Sequence, residues 1–211
     1  MSPDATRDAL RLYLVLDPDF LVGEPGETLH AALAGGATMV QLRSKGRTDR
    51  ETLAIGRPLR AICTEAGVPF VVNDRLDLAL ALNAEGIHLG VDDLPIEDAR
   101  RLAGPEFLIG YSPETDEQAR SASERGADYL GIGPVFDTAT KSDAGDALGV
   151  TEFSRRRALT DLPVVAIGGI GVANARAAIA AGANGVSVVS AILRASDPEA
   201  ASRSLAAAVR E

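Results

Sequence analysis

The chain has 211 residues, a formal net charge of −9, one cysteine and no tryptophan. Such a length fits a single domain with a sizeable core, and a negative chain without a contiguous basic face excludes nucleic-acid or anionic-membrane binding as its main business. The lone Cys63 excludes an intrachain disulfide and reads as a buried structural thiol, while residues 1–8 lack a basic region followed by an apolar segment and no stretch is apolar enough to span a bilayer, so a cytoplasmic location is expected.

In chain order, short apolar runs over residues 12–16, 39–42, 70–72, 87–89, 107–109, 129–135, 164–167 and 186–189 predict eight strands. Amphipathic stretches such as 54–62, 76–82 and 173–180 predict intervening helices. Gly36, Gly67, Gly86, Gly126 and Gly182 each stand just before a strand, where a helix C-cap that accepts a left-handed backbone is expected. Strands alternating with helices need parallel pairing, and eight such units favour an α/β fold, a single-domain (β/α)8 TIM barrel over residues 1–211. A doubly wound open sheet is the alternative. It normally carries a glycine fingerprint after its first strand, where this chain has Asp17-Pro18-Asp19-Phe20. The longest connection, 137–149, follows the sixth strand and reads as a mobile lid. Arg155-Arg156-Arg157 is the densest basic run and reads as a solvated helix face.

Barrel enzymes collect their chemistry at the C-terminal ends of the strands. Here those ends carry Gln41, Arg43 and Lys45, then Asn73 and Asp74, Asp92 and Asp93, Ser112, Thr138 with Thr140 and Lys141, Gly168-Gly169, and Ser190. Lys45 and Lys141 are the chain's two lysines, and an ammonium is a compact point charge suited to phosphate; chance in an arginine-rich composition is the alternative. Arg43, Lys45 and Lys141 could converge on a highly charged anion, since one contact pair at an effective dielectric near 20 contributes on the order of 4 kcal/mol before desolvation. Gly168-Gly169 and Ser190 fit a phosphate held by main-chain amides, or in the glycines' case a tight turn. Asp74 and Asp93 suit a hard divalent cation, with helix capping as the alternative. His88 lies within a strand and reads as a hydrogen-bonded core residue, and His30 as an ordinary helix residue. The sequence shows no nucleophile-plus-base set, zinc spacing or Walker A loop.

In order along the chain, Gln41-x-Arg43-x-Lys45, Asn73-Asp74, Gly90-x-x-Asp93, Gly110-x-Ser112, Gly133-Pro134-Val135-Phe136-x-Thr138-x-Thr140-Lys141, Gly168-Gly169-Ile170 and Val189-Ser190 resemble the thiamine-phosphate synthase family over nearly the whole length. The resemblance implies a transferase that joins 4-amino-2-methyl-5-(diphosphooxymethyl)pyrimidine to 4-methyl-5-(2-phosphooxyethyl)thiazole, releasing diphosphate through a stabilised pyrimidine cation. It implies that Gln41, Leu42, Arg43, Ser44, Lys45, Asn73, Ser112 and Lys141 hold the pyrimidine diphosphate, with Arg43, Lys45, Lys141 and Ser112 catalytic and Tyr13 against the pyrimidine. It further implies one Mg2+ per subunit on Asp74 and Asp93, and thiazole phosphate on Thr138, Ala139, Thr140, Gly169, Val189 and Ser190. The partners so implied are small molecules, and self-association as a homo-oligomer is left open.

Two departures from the family pattern stand in this sequence. Val91 replaces a frequent Gln, and Pro113-Glu114 replaces a small residue followed by His. The related thiazole tautomerases use that histidine and lack the diphosphate and metal residues, the reverse of the pattern here. A synthase, a tautomerase-type isomerase and an inactive phosphate-binding barrel are therefore separated by whether Mg2+-dependent diphosphate release occurs, since fold alone does not decide function.

Overall fold

A computed structural model describes residues 1–138 and 145–210. The strands β1 (Leu12–Leu16), β2 (Met39–Leu42), β3 (Phe70–Asn73), β4 (Gly86–Leu89), β5 (Leu108–Tyr111), β6 (Tyr129–Ile132), β7 (Val164–Ile167) and β8 (Gly185–Val188) form a closed, all-parallel barrel in sequence order. Helices α1 (Pro3–Ala9), α2 (Pro25–Ala34), α3 (Asp49–Ala66), α4 (Leu76–Ala81), α5 (Ile96–Ala103), α6 (Asp116–Arg125), α7 (Gly149–Arg157), α8 (Val172–Ala180), α9 (Ser190–Leu193) and α10 (Pro198–Ala208) surround it. The fold is the expected (β/α)8 barrel, and β1 pairs with β8 through Leu12, Tyr13 and Leu14.

Strand alternation divides the apolar residues into two layers. Tyr13, Met39, Val71, Leu108, Tyr129 and Val165 pack inside the barrel with Ala9 and Leu10, so the end of α1 closes its base. Their chain neighbours Leu12, Leu14, Val40, Val72, Ile109, Leu130 and Val164 face the helices, forming the larger core with Cys63, Phe153 and Leu205. Burial pushes the Cys63 thiol up to about 12, so it stays protonated and apolar in character.

The helix boundaries follow local chemistry. α3 starts earlier than the expected 54–62 because Thr48 and Glu51 make a capping box, Thr48 Oγ1 accepting from Glu51 N at 3.3 Å. Gly67 and Gly126 are left-handed helix caps, as expected. Gly86 is not. It is the first residue of β4, and Asn83, at φ 50°, turns the chain after α4 instead. The sixth strand stops at Ile132 rather than 135 because Pro134 has no N–H to give a ladder. Beyond it, Val135 N and Phe136 N donate to Ile167 O at 2.9 Å and Gly168 O at 3.1 Å, folding this segment over the end of β7. Of the expected lid at 137–149, residues 139–144 lie outside the described residues. Its C-terminal end is tied back by Leu148 N donating to Pro134 O at 2.8 Å.

Candidate active site

A cavity of about 740 Å3 opens at the C-terminal ends of the strands, within the range of small-molecule sites. The two-residue period of β2 decides which of the segment 41–45 reaches it. Gln41, Arg43 and Lys45 line the cavity. Leu42 faces outward into the barrel–helix core, and Ser44 shares a 2.9 Å hydrogen bond with Thr52 of α3, so neither side chain joins the site. Asn73, Asp74, Asp93 and Ser112 also line the cavity.

Arg43 is already partnered. Its guanidinium donates to Asp17, a side chain 2% exposed at the end of β1 that also accepts from Asp19 N at 3.0 Å. Lys45 Nζ lies 3.3 Å from Asp74 Oδ2 and is 53% exposed, so its ammonium keeps open directions toward the cavity. Asp74 has a left-handed backbone, φ 64°, rare for a residue with a side chain. Burial, then the neighbouring Asp93 carboxylate within hydrogen-bonding reach, raise the Asp74 carboxyl above its ordinary range, with Lys45 pulling the other way. Asp93 Oδ2 accepts from Gly90 N at 2.6 Å, which fixes the loop after β4.

Two facing carboxylates, of which Asp74 is partly buried and raised in proton affinity, are an oxygen donor set for a hard divalent cation. Mg2+ commonly takes one or two carboxylates and completes its shell with water and phosphate oxygens. The residues therefore fit such an ion. Among the described residues no group of three or more His, Cys, Asp or Glu side chains converges to hold a metal without outside ligands. The lining also carries the carboxylates Asp17, Asp74, Asp92, Asp93, Glu114 and Asp137 against the cations Arg43, Lys45 and Arg194. An anion entering that field gains from a bound cation.

Across the mouth, the loops after β7 and β8 bring main chain to the cavity through Gly168, Gly169, Val189 and Ser190. The glycine pair is required by close approach as well as by its backbone. Gly169 has φ 63°, and a Cβ there would lie 2.3 Å from Asp137 O. Asn174, in the first turn of α8, holds this loop by donating to Gly169 O at 2.9 Å and accepting from Gly171 N at 2.8 Å. Thr138 lines the same side. Ala139, Thr140 and Lys141 lie outside the described residues.

The floor carries a feature that sequence reading did not assemble. Gln41 Nε2 donates to the Tyr13 hydroxyl at 2.6 Å, Tyr13 and Tyr129 share a 2.9 Å hydrogen bond, Tyr129 meets His88 Nδ1 at 3.0 Å, and His88 Nε2 meets Ser112 Oγ at 2.8 Å. Burial lowers the His88 pKa to about 4, leaving a neutral imidazole, and raises both tyrosines, which stay protonated. His88 is thus hydrogen-bonded in the interior, as expected, yet it also lines the cavity. Asp17, His88 and Tyr129 are the residues that the sequence did not mark as parts of a site. For Asp17 the signal was its place at the end of the first strand.

A closed (β/α)8 barrel whose strand ends set a carboxylate pair and lysine opposite a glycine-lined main-chain cradle has the architecture of a barrel enzyme with its site at the C-terminal rim. The family model described as thiamine monophosphate synthase matches residues 12–192, and the chain belongs to that family, whose members make it a transferase. It is 48% identical over 195 residues to the thiamine-phosphate synthase of Moorella thermoacetica, covering 92% of this chain and 93% of that one. The Methanospirillum hungatei thiamine-phosphate synthase is 49% identical over 199 residues, covering 92% and 95%. The solved thiamine phosphate pyrophosphorylase of Pyrococcus furiosus superposes with a TM-score of 0.89 at 40% identity, covering 97% of this chain and 98% of that one. Among the described residues no helix is long and apolar enough to cross a membrane.

Proposed function

We propose that this protein is a Mg2+-dependent, cytoplasmic thiamine-phosphate synthase that condenses the pyrimidine diphosphate with the thiazole phosphate named above. One observation carries the reading. A single cavity has Lys45, Asp74 and Asp93 on the β2–β4 side and Gly169, Val189 and Ser190 on the β7–β8 side, so two anions of different charge can sit facing each other with their rings between.

In this reading the C–O bond between the pyrimidine methylene and the diphosphate breaks first, and its electron pair leaves with the diphosphate. The ring-stabilised cation is then attacked by the thiazole nitrogen lone pair, so no strong protein base is needed. Asp74 and Asp93 would hold Mg2+, which supplies Lewis-acid stabilisation of the departing diphosphate when bound. Lys45 donates to the same oxygens and Arg43, aimed by Asp17, adds a second cation; Lys141 is assigned the same role from the resemblance. Ser112 donates a hydrogen bond to the diphosphate. Thr138, Ala139, Thr140, Gly169, Val189 and Ser190 hold the thiazole phosphate, which keeps the nitrogen in line with the reacting carbon.

The test is incubation of pure protein with both substrates and Mg2+. Equimolar thiamine phosphate and diphosphate, with turnover abolished by EDTA and restored by Mg2+, are expected. Absence of both products overturns the reading.

A further inference from the structure

The five-residue chain across the barrel floor has a direction. A phenol carries one hydrogen, and a buried hydroxyl hydrogen without an acceptor is expensive. Tyr13 and Tyr129 are 1% and 0% exposed, so each hydroxyl must spend its hydrogen within the chain. With Gln41 Nε2 donating to Tyr13 at 2.6 Å, Tyr13 donates to Tyr129, and Tyr129 donates to His88 Nδ1. The imidazole hydrogen then sits on Nε2 and is donated to Ser112 Oγ at 2.8 Å. Ser112 accepts from the histidine, and its own hydrogen is released to the cavity that it lines.

Turning the Gln41 amide over would reverse every link. Gln41 would accept from Tyr13, His88 would carry its hydrogen on Nδ1, and Ser112 would give its hydrogen to Nε2, with only lone pairs left for a ligand. The two polarities thus suit opposite ligands. One offers an acceptor at Gln41 and a donor at Ser112; the other offers the converse.

The barrel wall is built around this chain. A Cβ on Gly110 of β5 would lie 2.1 Å from Tyr129 Cζ and 2.5 Å from His88 Nδ1, so this inward position is vacated for the Tyr129–His88 contact. The Tyr13 and Tyr129 rings meet edge to face with centroids 6.1 Å apart, which fixes the two hydroxyls toward each other.

We propose that Tyr129, which does not line the cavity, is a positioning residue: through His88 it holds the Ser112 hydroxyl as a donor toward an anionic ligand oxygen, while the other end leaves the Gln41 amide oxygen for a ligand N–H. Resting on the synthase reading, the anion is the diphosphate and the N–H the exocyclic amine of the pyrimidine. The two ends of one substrate are then read by one chain of hydrogen bonds, and a ligand lacking the amine loses the bias that prepares Ser112.

The test reads the tautomer directly. His30 and His88 are the chain's two histidines, so 15N-histidine labelling gives two ring systems, and His30→Asn assigns the other. In the wild type His88 should carry its hydrogen on Nε2. Tyr129→Phe leaves Nδ1 without its donor and cuts His88 off from Gln41, so Gln41→Glu should no longer move the tautomer in that background, and kcat should fall about tenfold or more, with the KM for thiazole phosphate unchanged. Because Ser112→Ala removes the same donor, the double variant with Tyr129→Phe should be hardly slower than Ser112→Ala alone. If Tyr129→Phe does not fold, Gln41→Glu, read at a pH where the new carboxylate is ionised and can only accept, should invert the wild-type tautomer. A wild-type Nδ1–H, or a tautomer unmoved by Gln41→Glu, overturns the proposal. A wild-type Nε2–H in a protein that makes no thiamine phosphate overturns the functional reading and leaves the relay standing.

Discussion

Asp17, at the end of β1, holds Arg43, at the end of β2, in an ion pair whose carboxylate side is almost dry: the side chains are 2% and 23% exposed. Removing one partner of such a pair leaves a buried charge uncompensated. Arg43→Ala is expected to lower the unfolding free energy by about 3 kcal/mol, whereas Asp17→Ala with Arg43→Ala should be less destabilised than the sum of the single changes. Urea denaturation of the four proteins measures this. Asp17→Asn, which keeps the shape and loses the charge, should reduce turnover more than it reduces thiazole-phosphate binding, because it releases the aim of the guanidinium.

Asp74 and Asp93 repel each other in the metal-free protein, and burial adds to the strain on Asp74. Asp74→Asn should therefore raise the thermal midpoint measured in EDTA and abolish the increase expected when Mg2+ is added to the wild type. Binding of an ion to the native state alone stabilises by mass action, about 2.7 kcal/mol at a hundredfold excess over Kd. Turnover should fall while calorimetric binding of thiazole phosphate persists. Equal loss of both would refute the division of the cavity into two anion sites.

His88 gives the protein an acid limit of its own. Its pKa is lowered by burial from 6.5 to about 4, so the unfolded state binds the more protons between those values. Stability from this group is complete above pH 6.5 and is lost as pH falls toward 4, with a slope approaching about 1.4 kcal/mol per pH unit inside the window. Urea unfolding of the wild type and His88→Gln at pH 7, 5.5 and 4.5 should show the wild type losing more stability on acidification. Parallel curves would contradict a buried neutral imidazole.

Much of this arrangement could be read along the chain because strands alternate. The spacing Gln41-x-Arg43-x-Lys45 on an apolar run already puts three polar groups on one face, and the eight apolar runs imply eight strand ends. Alternation also removes Leu42 and Ser44 from that face, which the family resemblance alone did not distinguish. Pairings between distant segments were not legible. Asp17 meets Arg43 across 26 positions and His88 meets Tyr129 across 41, and neither residue type declares its partner. Glycine is ambiguous in a third way. Gly86 precedes a strand just as the capping glycines do, yet it serves close packing, a Cβ there falling 2.2 Å from Leu108 O.

The glycine cradle after β7 is the most sharply testable part of the proposed thiazole-phosphate site. Gly169 combines a left-handed backbone with a Cβ position 2.3 Å from Asp137 O and 2.7 Å from Phe136 O, so Gly169→Ala must push the β6 loop away or change its own φ. A non-glycine residue in that region costs on the order of 1–2 kcal/mol before any clash. Neighbouring Gly171 has φ −144° and open space at its Cβ position, so Gly171→Ala serves as the control. Calorimetry should show Gly169→Ala weakening thiazole-phosphate affinity about tenfold or more, a loss of roughly 1.4 kcal/mol, with Gly171→Ala near the wild type. Pyrimidine-diphosphate binding, on the opposite side of the mouth, should change little in either. If both substrates weaken together in Gly169→Ala, the loop after β7 supports the whole cavity and does not serve one anion alone.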